Sequence, residues 1–278
     1  MKKITLLIIA LLFTGLSFGQ KREKVKGSKN VTIIKKEIGN FENLEIEDNF
    51  EIILVKGTVC SLEIEADDNL HSEININSNG NTLRLTTLKE VTGFKKFNVK
   101  VTYTNDFKLL LAKHESNITA ITDIELDNFT IKCSDYSKLF ANGKVKTFTL
   151  MQNDKSKAEL NLKSENATIE LSKNAQLKAL IAATQLKLDL YQKSSAVIEG
   201  DVAELKLRLD NNSEFSGMNL IAKTAELVAE GNSTTKINVV ANATIEASGK
   251  SEIQFYGDAK IELKKFAENT VIMKKALK

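Results

Sequence analysis

The residues with which chemistry could begin are few. Cys60, Cys133, His71 and His114 are the soft ligands and nucleophiles of the chain. A zinc or thiol-catalytic site needs such groups at short, regular spacing, and neither histidine stands at ligand spacing from either thiol. Carboxylates, the other route to acid–base work, are conspicuous at Asp67-Asp68 and at Asp135 and Asp154, where the neighbouring residues read as turns. The sequence contains no G-x-S-x-G elbow, H-E-x-x-H helix, phosphate-binding glycine loop or calcium-binding nonapeptide. Catalytic residues, cofactor-binding residues and metal ligands are therefore expected to be none. What is left is recognition: Tyr136, Phe140 and Tyr191 fall at outward positions and are the candidates for a surface patch on which a ligand could stack.

"Outward" has meaning because of a repeat that runs from Phe107 to Lys274. Leu110, Ile131, Leu150, Ile169, Leu188, Leu207, Leu227 and Ile245 are separated by 21, 19, 19, 19, 19, 20 and 18 residues. Six residues after each comes a small one: Ser116, Ser137, Ser156, Ala175, Ser194, Ser213, Ser233 and Ser251. Apolar positions continue two residues beyond, at Ile118, Leu139, Ala158, Leu177, Ala196, Phe215 and Ile253, while the positions between are mostly polar. Each unit is too short for two strands and a crossover helix, and it cannot bury its apolar face alone. The expected fold is all-β, a parallel β-helix or β-solenoid with coils of about 19 residues. Stacked at about 4.8 Å, eight or nine coils make a rod of roughly 40 Å.

Cys133 falls in an apolar column with Ala112, Leu171, Leu190, Leu209, Ala229 and Ala247, so a buried free thiol is expected rather than a bridge to Cys60. Outer carboxylates Glu170, Asp189 and Glu246 alternate with Lys132 and Arg208, the pattern of cross-strand charge pairing on a wet sheet.

The ends complete the organisation. Met1 to Gly19 has Lys2 and Lys3, an apolar run from Ile4 to Phe13 and small residues at Ser17 and Gly19, the layout of a signal peptide. That run is shorter than the roughly 20 residues of a membrane span. Residues 20–39 read as a basic, flexible leader; 40–274 as a single β-solenoid domain, with irregular amino-terminal strands at 40–106 capping regular coils at 107–274; and 275–278 as a tail. Among 278 residues, 39 Lys and Arg balance 36 Asp and Glu, which excludes the basic field of a nucleic-acid binder.

Written out, the pattern resembles the putative autotransporter adhesin, head GIN domain family of exported bacterial proteins. The family's opening F-x-x-I-x-V strand appears as Phe41-Glu42-Asn43-Leu44-Glu45-Ile46, and its G-x-S corner as Gly231-Asn232-Ser233 and Gly249-Lys250-Ser251. Its closing segment is similar to Phe255-Tyr256-Gly257-Asp258. The sequence departs from the family by lacking proline and by carrying His114, Asp135, Asp154, Lys173, Gln192 and Asn211 where the corner glycine would stand. Lys173 and Gln192 are the departures that strain the corner, since a left-handed backbone suits glycine, asparagine and aspartate. The resemblance implies a β-solenoid in an envelope or surface setting, periplasmic or extracellular. The function expected is a non-catalytic adhesin-like surface, with an envelope polysaccharide or envelope protein as partner. The rival expectations are a polysaccharide-active enzyme and a purely structural spacer.

Overall fold

The computed structural model describes residues 22–277; the expected signal peptide at 1–19 lies outside them. The first described segment corrects the flexible leader. Val25 lies within β1 (Lys24–Lys26), and the β-branched run Val31-Thr32-Ile33-Ile34 opens β2 (Val31–Glu37). Excess lysine hides this tendency in the sequence. In the fold, β2 runs antiparallel to residues 61–67, and Lys35 meets Glu63 at 3.3 Å. Asp67 ties the same segment down. Its buried carboxylate accepts the backbone N–H groups of Lys29, Lys95 and Lys96. Burial opposes its ionisation, and those N–H groups outweigh burial and hold it below the usual carboxylate range.

The strands that follow are β3 (Asn43–Ile46), β4 (Glu51–Lys56), β5 (Ser61–Asp67), β6 (Ile74–Asn79), β7 (Thr82–Thr87), β8 (Glu90–Thr92) and β9 (Phe97–Tyr103). They stack out of chain order. β3 pairs in parallel with β7 on one side and with β10 (Leu109–Ala112) on the other. β4 likewise lies between β9 and β11 (Asn117–Ala120). The residues from 43 to 56 thus form a regular coil, with the excursion at 61–103 folded back over its outer end. The antiparallel pairs β5–β9, β2–β5 and β6–β7 close that end of the stack.

The regular coils are β12 (Ile124–Cys133), β13 (Lys138–Gln152), β14 (Lys157–Leu171), β15 (Gln176–Leu190), β16 (Ser195–Leu209), β17 (Glu214–Ala229), β18 (Thr234–Ala247), β19 (Glu252–Tyr256), β20 (Lys260–Phe266) and β21 (Val271–Lys274). Together with the first coils they make a β-solenoid of about nine turns with about 19-residue spacing. Two successive exposed residues, such as Glu165-Asn166 or Thr184-Gln185, break the alternation inside each long strand, and the parity of the buried positions changes across them. That break is the corner between two walls. The first wall carries the carboxy-terminal halves and ends in β20; the second carries the amino-terminal halves and ends in β21.

Register follows the repeat. Leu83, Leu44, Leu110, Ile131, Leu150, Ile169, Leu188, Leu207, Leu227 and Ile245 pair in sequence through the first wall, and each is buried. Fully burying such a side chain is worth about 1.5–3 kcal/mol, so the column is the principal source of cohesion between coils. Cys133 and Cys60 are buried and free, and burial pushes the Cys133 thiol up to about 12 against a hydrogen bond with Ser137. Gln152 stands beside Cys133 in the same column as a buried amide.

The small residue of each unit turns the chain from one wall to the other. Ser116, Ser156 and Ser251 bond the carbonyl three residues back, and Ser194 and Ser251 also reach the previous coil, at the carbonyls of Leu171 and Ala229. Two residues before it the backbone is left-handed throughout, from His114 (φ 56°) through Lys173 (59°) and Gln192 (51°) to Gly249 (78°). A non-glycine residue pays about 1–2 kcal/mol there, offset by N–H to carbonyl bonds between successive corners, such as Asn174 to Asp154 at 2.8 Å. At 192–193 and 211–212 two consecutive residues take positive φ, and the Lys193 N–H turns to the next coil, bonding Asn211.

Candidate functional site

Just past the corner, the second wall presents two outward columns. Phe140, Glu159, Lys178 and Val197 are in register across β13 to β16, and so are Asn142, Asn161, Leu180 and Glu199. Between them lie Ala141, Leu160 and Ala179, two of which have only a methyl group to fill the space. The result is an open groove of about 490 Å³ along the rod axis. At the strand spacing of about 4.8 Å, its four coils cover roughly 14 Å. Phe140, Leu180 and Val197 are 43%, 50% and 45% exposed, an apolar strip held out of the core by parity. Glu159, Lys178 and Glu199 make no ion pair among the described residues; Glu199 accepts a 3.3 Å hydrogen bond from Asn219. The groove therefore presents apolar faces, two amides and three charges along the rod axis.

The three aromatic candidates are not brought together. Only Phe140 lines the groove. Tyr136 stands at the corner, exposed, with Lys155 Nζ 3.1 Å from its hydroxyl and 5.0 Å from its ring centroid. Tyr191 precedes a corner three coils further on and is half-buried; burial, then the Asp189 charge, raises its hydroxyl pKa. Leu180, Val197, Asn142 and Asn161 were missed. Their signal was present in the odd positions after the small residue, which carry apolar side chains in two consecutive units.

A second hollow, of about 280 Å³, lies where the cap meets the coils and contains Arg22, Asp48, Thr87 and His114. Asp48 accepts Arg22 Nη1 at 2.5 Å, the Thr87 N–H at 2.9 Å and the Thr87 hydroxyl at 2.8 Å. Burial disfavours its charge, and Arg22 and Thr87 overcome that penalty, leaving its pKa lowered. His114 Nδ1 is 3.5 Å from the same carboxylate. Engaged in this way, Asp48 clamps the segment that leads into β1 onto the cap. Asp68 is used in the same way, accepting Ser28 Oγ at 2.5 Å and Asn30 Nδ2 at 2.9 Å. Among the described residues no cluster of His, Cys, Asp and Glu could hold a metal ion.

The expected charge pairing takes a different form. Asp189 and Arg208 are cross-strand partners, yet Asp189 pairs with Lys187 at 3.1 Å on its own strand and Arg208 with Glu230 at 3.0 Å. Long side chains on a wet sheet choose whichever neighbour they reach with least ordering, and such exposed pairs contribute little, about 0–1 kcal/mol.

Solved structures share this architecture. A crystal structure described as a putative adhesin from Parabacteroides merdae superposes with a TM-score of 0.65 at 17% identity, covering 91% of this chain and 99% of that one. One from Parabacteroides distasonis, also described as a putative adhesin, gives 0.63 at 16% identity, covering 90% and 99%. A third, from the same organism and described as a putative lipid binding protein, gives 0.62 at 15%, covering 91% and 100%. At such identities the likeness is one of fold. No curated protein matches the sequence. A family profile matches residues 40–161 and again 150–259, which is most of the described solenoid. With sequence and fold in agreement, the chain belongs to the family described as "Putative auto-transporter adhesin, head GIN domain".

Proposed function

We propose that the chain is an exported, non-catalytic binding protein of the envelope, periplasmic or at the cell surface, which holds an extended polysaccharide along the groove of its second wall. One observation carries this reading: Phe140, Leu180 and Val197 are displayed beside Asn142 and Asn161 on four successive coils. Sugar rings present apolar faces and hydroxyl edges, and this groove sets the apolar side chains of Phe140, Leu180 and Val197 in line with the amides of Asn142 and Asn161. The layout of Met1 to Gly19 supports export. Coil lengths of 18 to 21 residues leave no long loops to wall a cleft around a scissile bond.

The test is retention on a glycan array by the chain from residue 20 onward, beside a reducing-end release assay. Phe140→Ala and Leu180→Asp are expected to lower retention by roughly tenfold or more with unchanged melting, because both side chains are exposed. Release of reducing ends would contradict the non-catalytic reading. Retention of no glycan would favour the spacer.

A further inference from the structure

The two ends of the rod differ in how their strand edges are finished. At the amino-terminal end, antiparallel strands fold over the stack and most basic groups have carboxylate partners: Arg22 with Asp48, Lys24 with Glu90, Lys35 with Glu63 and Lys89 with Glu23. At the other end, β20 and β21 form the last described coil, and no described residue covers them. Ile261, Leu263 and Phe266 belong to the inward column, because β20 pairs with β18 through Ala243–Ile261, Ile245–Leu263 and Ala247–Phe266. They are nevertheless 37%, 49% and 45% exposed. Val271 and Leu277 add 48% and 55%. Among the described residues the inward column is thus exposed at this coil.

The same end is basic. Between 258 and 277 there are five lysines, Lys260, Lys264, Lys265, Lys274 and Lys275, against Asp258, Glu262 and Glu268. Lys274 pairs with Asp258 at 3.2 Å; the other four make no ion pair among the described residues. This charge decides between occupants. A second copy joined end to end would bring Lys260, Lys264 and Lys265 against their own equivalents, and one joined head to tail with walls aligned would set them against β6, whose Ile74–Asn79 carries no carboxylate to meet them, and β21 against Lys35 and Lys36 of β2. Lysine on an edge strand is a usual device against such pairing.

We propose that this end of the rod docks on an anionic phospholipid surface. Clustered lysines are drawn to anionic headgroups, and apolar side chains beside them enter the headgroup–acyl boundary. The unpaired N–H and C=O groups of β20 and β21 remain solvated in the hydrated headgroup layer, which they would not in hydrocarbon. Contact is therefore peripheral and stands the rod upright, with the groove of the second wall running away from the membrane. This inference is independent of what the groove binds.

The experiment is co-sedimentation of the chain from residue 20 onward with vesicles of phosphatidylglycerol and phosphatidylcholine, against phosphatidylcholine alone. Removal of residues 1–19 keeps their apolar run out of the assay. Binding is expected only with phosphatidylglycerol and is expected to fall with salt. The combined variant K260Q/K264Q/K265Q is expected to bind roughly 100-fold more weakly. Leu263→Gln with Phe266→Gln is expected to weaken binding while keeping its salt dependence, and K35Q/K36Q to leave it unchanged. Circular dichroism melting of each variant separates lost binding from lost folding, and K260Q/K275Q serves as a milder second variant. The proposal is overturned if the parent chain ignores phosphatidylglycerol, or if only K35Q/K36Q abolishes binding. It is also overturned if sedimentation velocity shows a dimer that Leu263→Gln dissolves, since a second copy would then cover the end.

Discussion

Replacing Leu188 with aspartate is expected to unfold the middle of the rod, at a cost on the order of 5 kcal/mol. Leu188 is fully buried and in register with Ile169 before it and Leu207 after it. A carboxylate there loses the burial of the leucine and has no cation or N–H donor to meet, so it stays charged at high cost or takes up a proton. In a stacked array each unit is held by its two neighbours, and the damage reaches both interfaces at once. Since whole domains are stable by about 5–15 kcal/mol, the variant should melt far below the parent or fail to fold. Lys206→Gln, one residue before Leu207 and facing solvent, should change stability by no more than about 0.5 kcal/mol. Urea titration followed by circular dichroism reads both. Equal midpoints for Leu188→Asp and the parent would mean that the leucine column does not hold the coils together.

The second large effect is expected at Gly200. The step from Leu207 to Leu227 is one residue longer than the usual 19, and pairing between β16 and β17 shifts register between Val197 and Gly200. Gly200 has φ 115°, and a Cβ placed on it would lie 2.2 Å from the Ile181 carbonyl oxygen of the preceding coil. Backbone cannot yield there without breaking the ladder on both sides. Gly200→Ala is expected to cost about 2–4 kcal/mol, combining backbone strain with displacement of the neighbouring coil. Gly80 makes the comparison: its φ is +55° and a methyl group there would meet nothing within 4 Å, so Gly80→Ala should cost only about 1 kcal/mol. Similar losses at the two sites would show that left-handed geometry alone, and not contact between coils, sets the requirement at Gly200.

The coils were legible because a single chemical requirement repeats: an aliphatic at Ile169, Leu188 and Leu207 and a small residue at Ala175, Ser194 and Ser213 can be read without knowing the turn. The corner was legible too, from Ser116 to Ser251, and Thr270 continues it in the next coil, its hydroxyl bonding the Ala267 carbonyl as the serines do. Three features were hidden. The strands at 24–37 were masked by lysines whose charge is met by distant partners such as Glu63 and Glu90, which periodicity cannot locate. The placing of β3 between β7 and β10 depends on long-range pairing, and Leu44 and Leu83 look alike to any local rule. The groove was hidden because Leu180 and Val197 are ordinary when taken singly and form a strip only through register with the columns of Phe140 and Asn142. Lys173 and Gln192 raised doubt about the corner, yet both adopt its left-handed backbone, because the bonds between coils and the packed columns on either side over-determine the turn.

In the proposed function, ligand is held by the second wall and by that wall alone. Amide hydrogen exchange of the chain, with and without the glycan it retains, tests this most directly. The account predicts added protection at residues 139–142, 158–161, 177–180 and 196–199, with no change at 128–132 or 185–189 on the first wall. Protection confined to the first wall, or to the corner around Tyr136 and Tyr191, would contradict it.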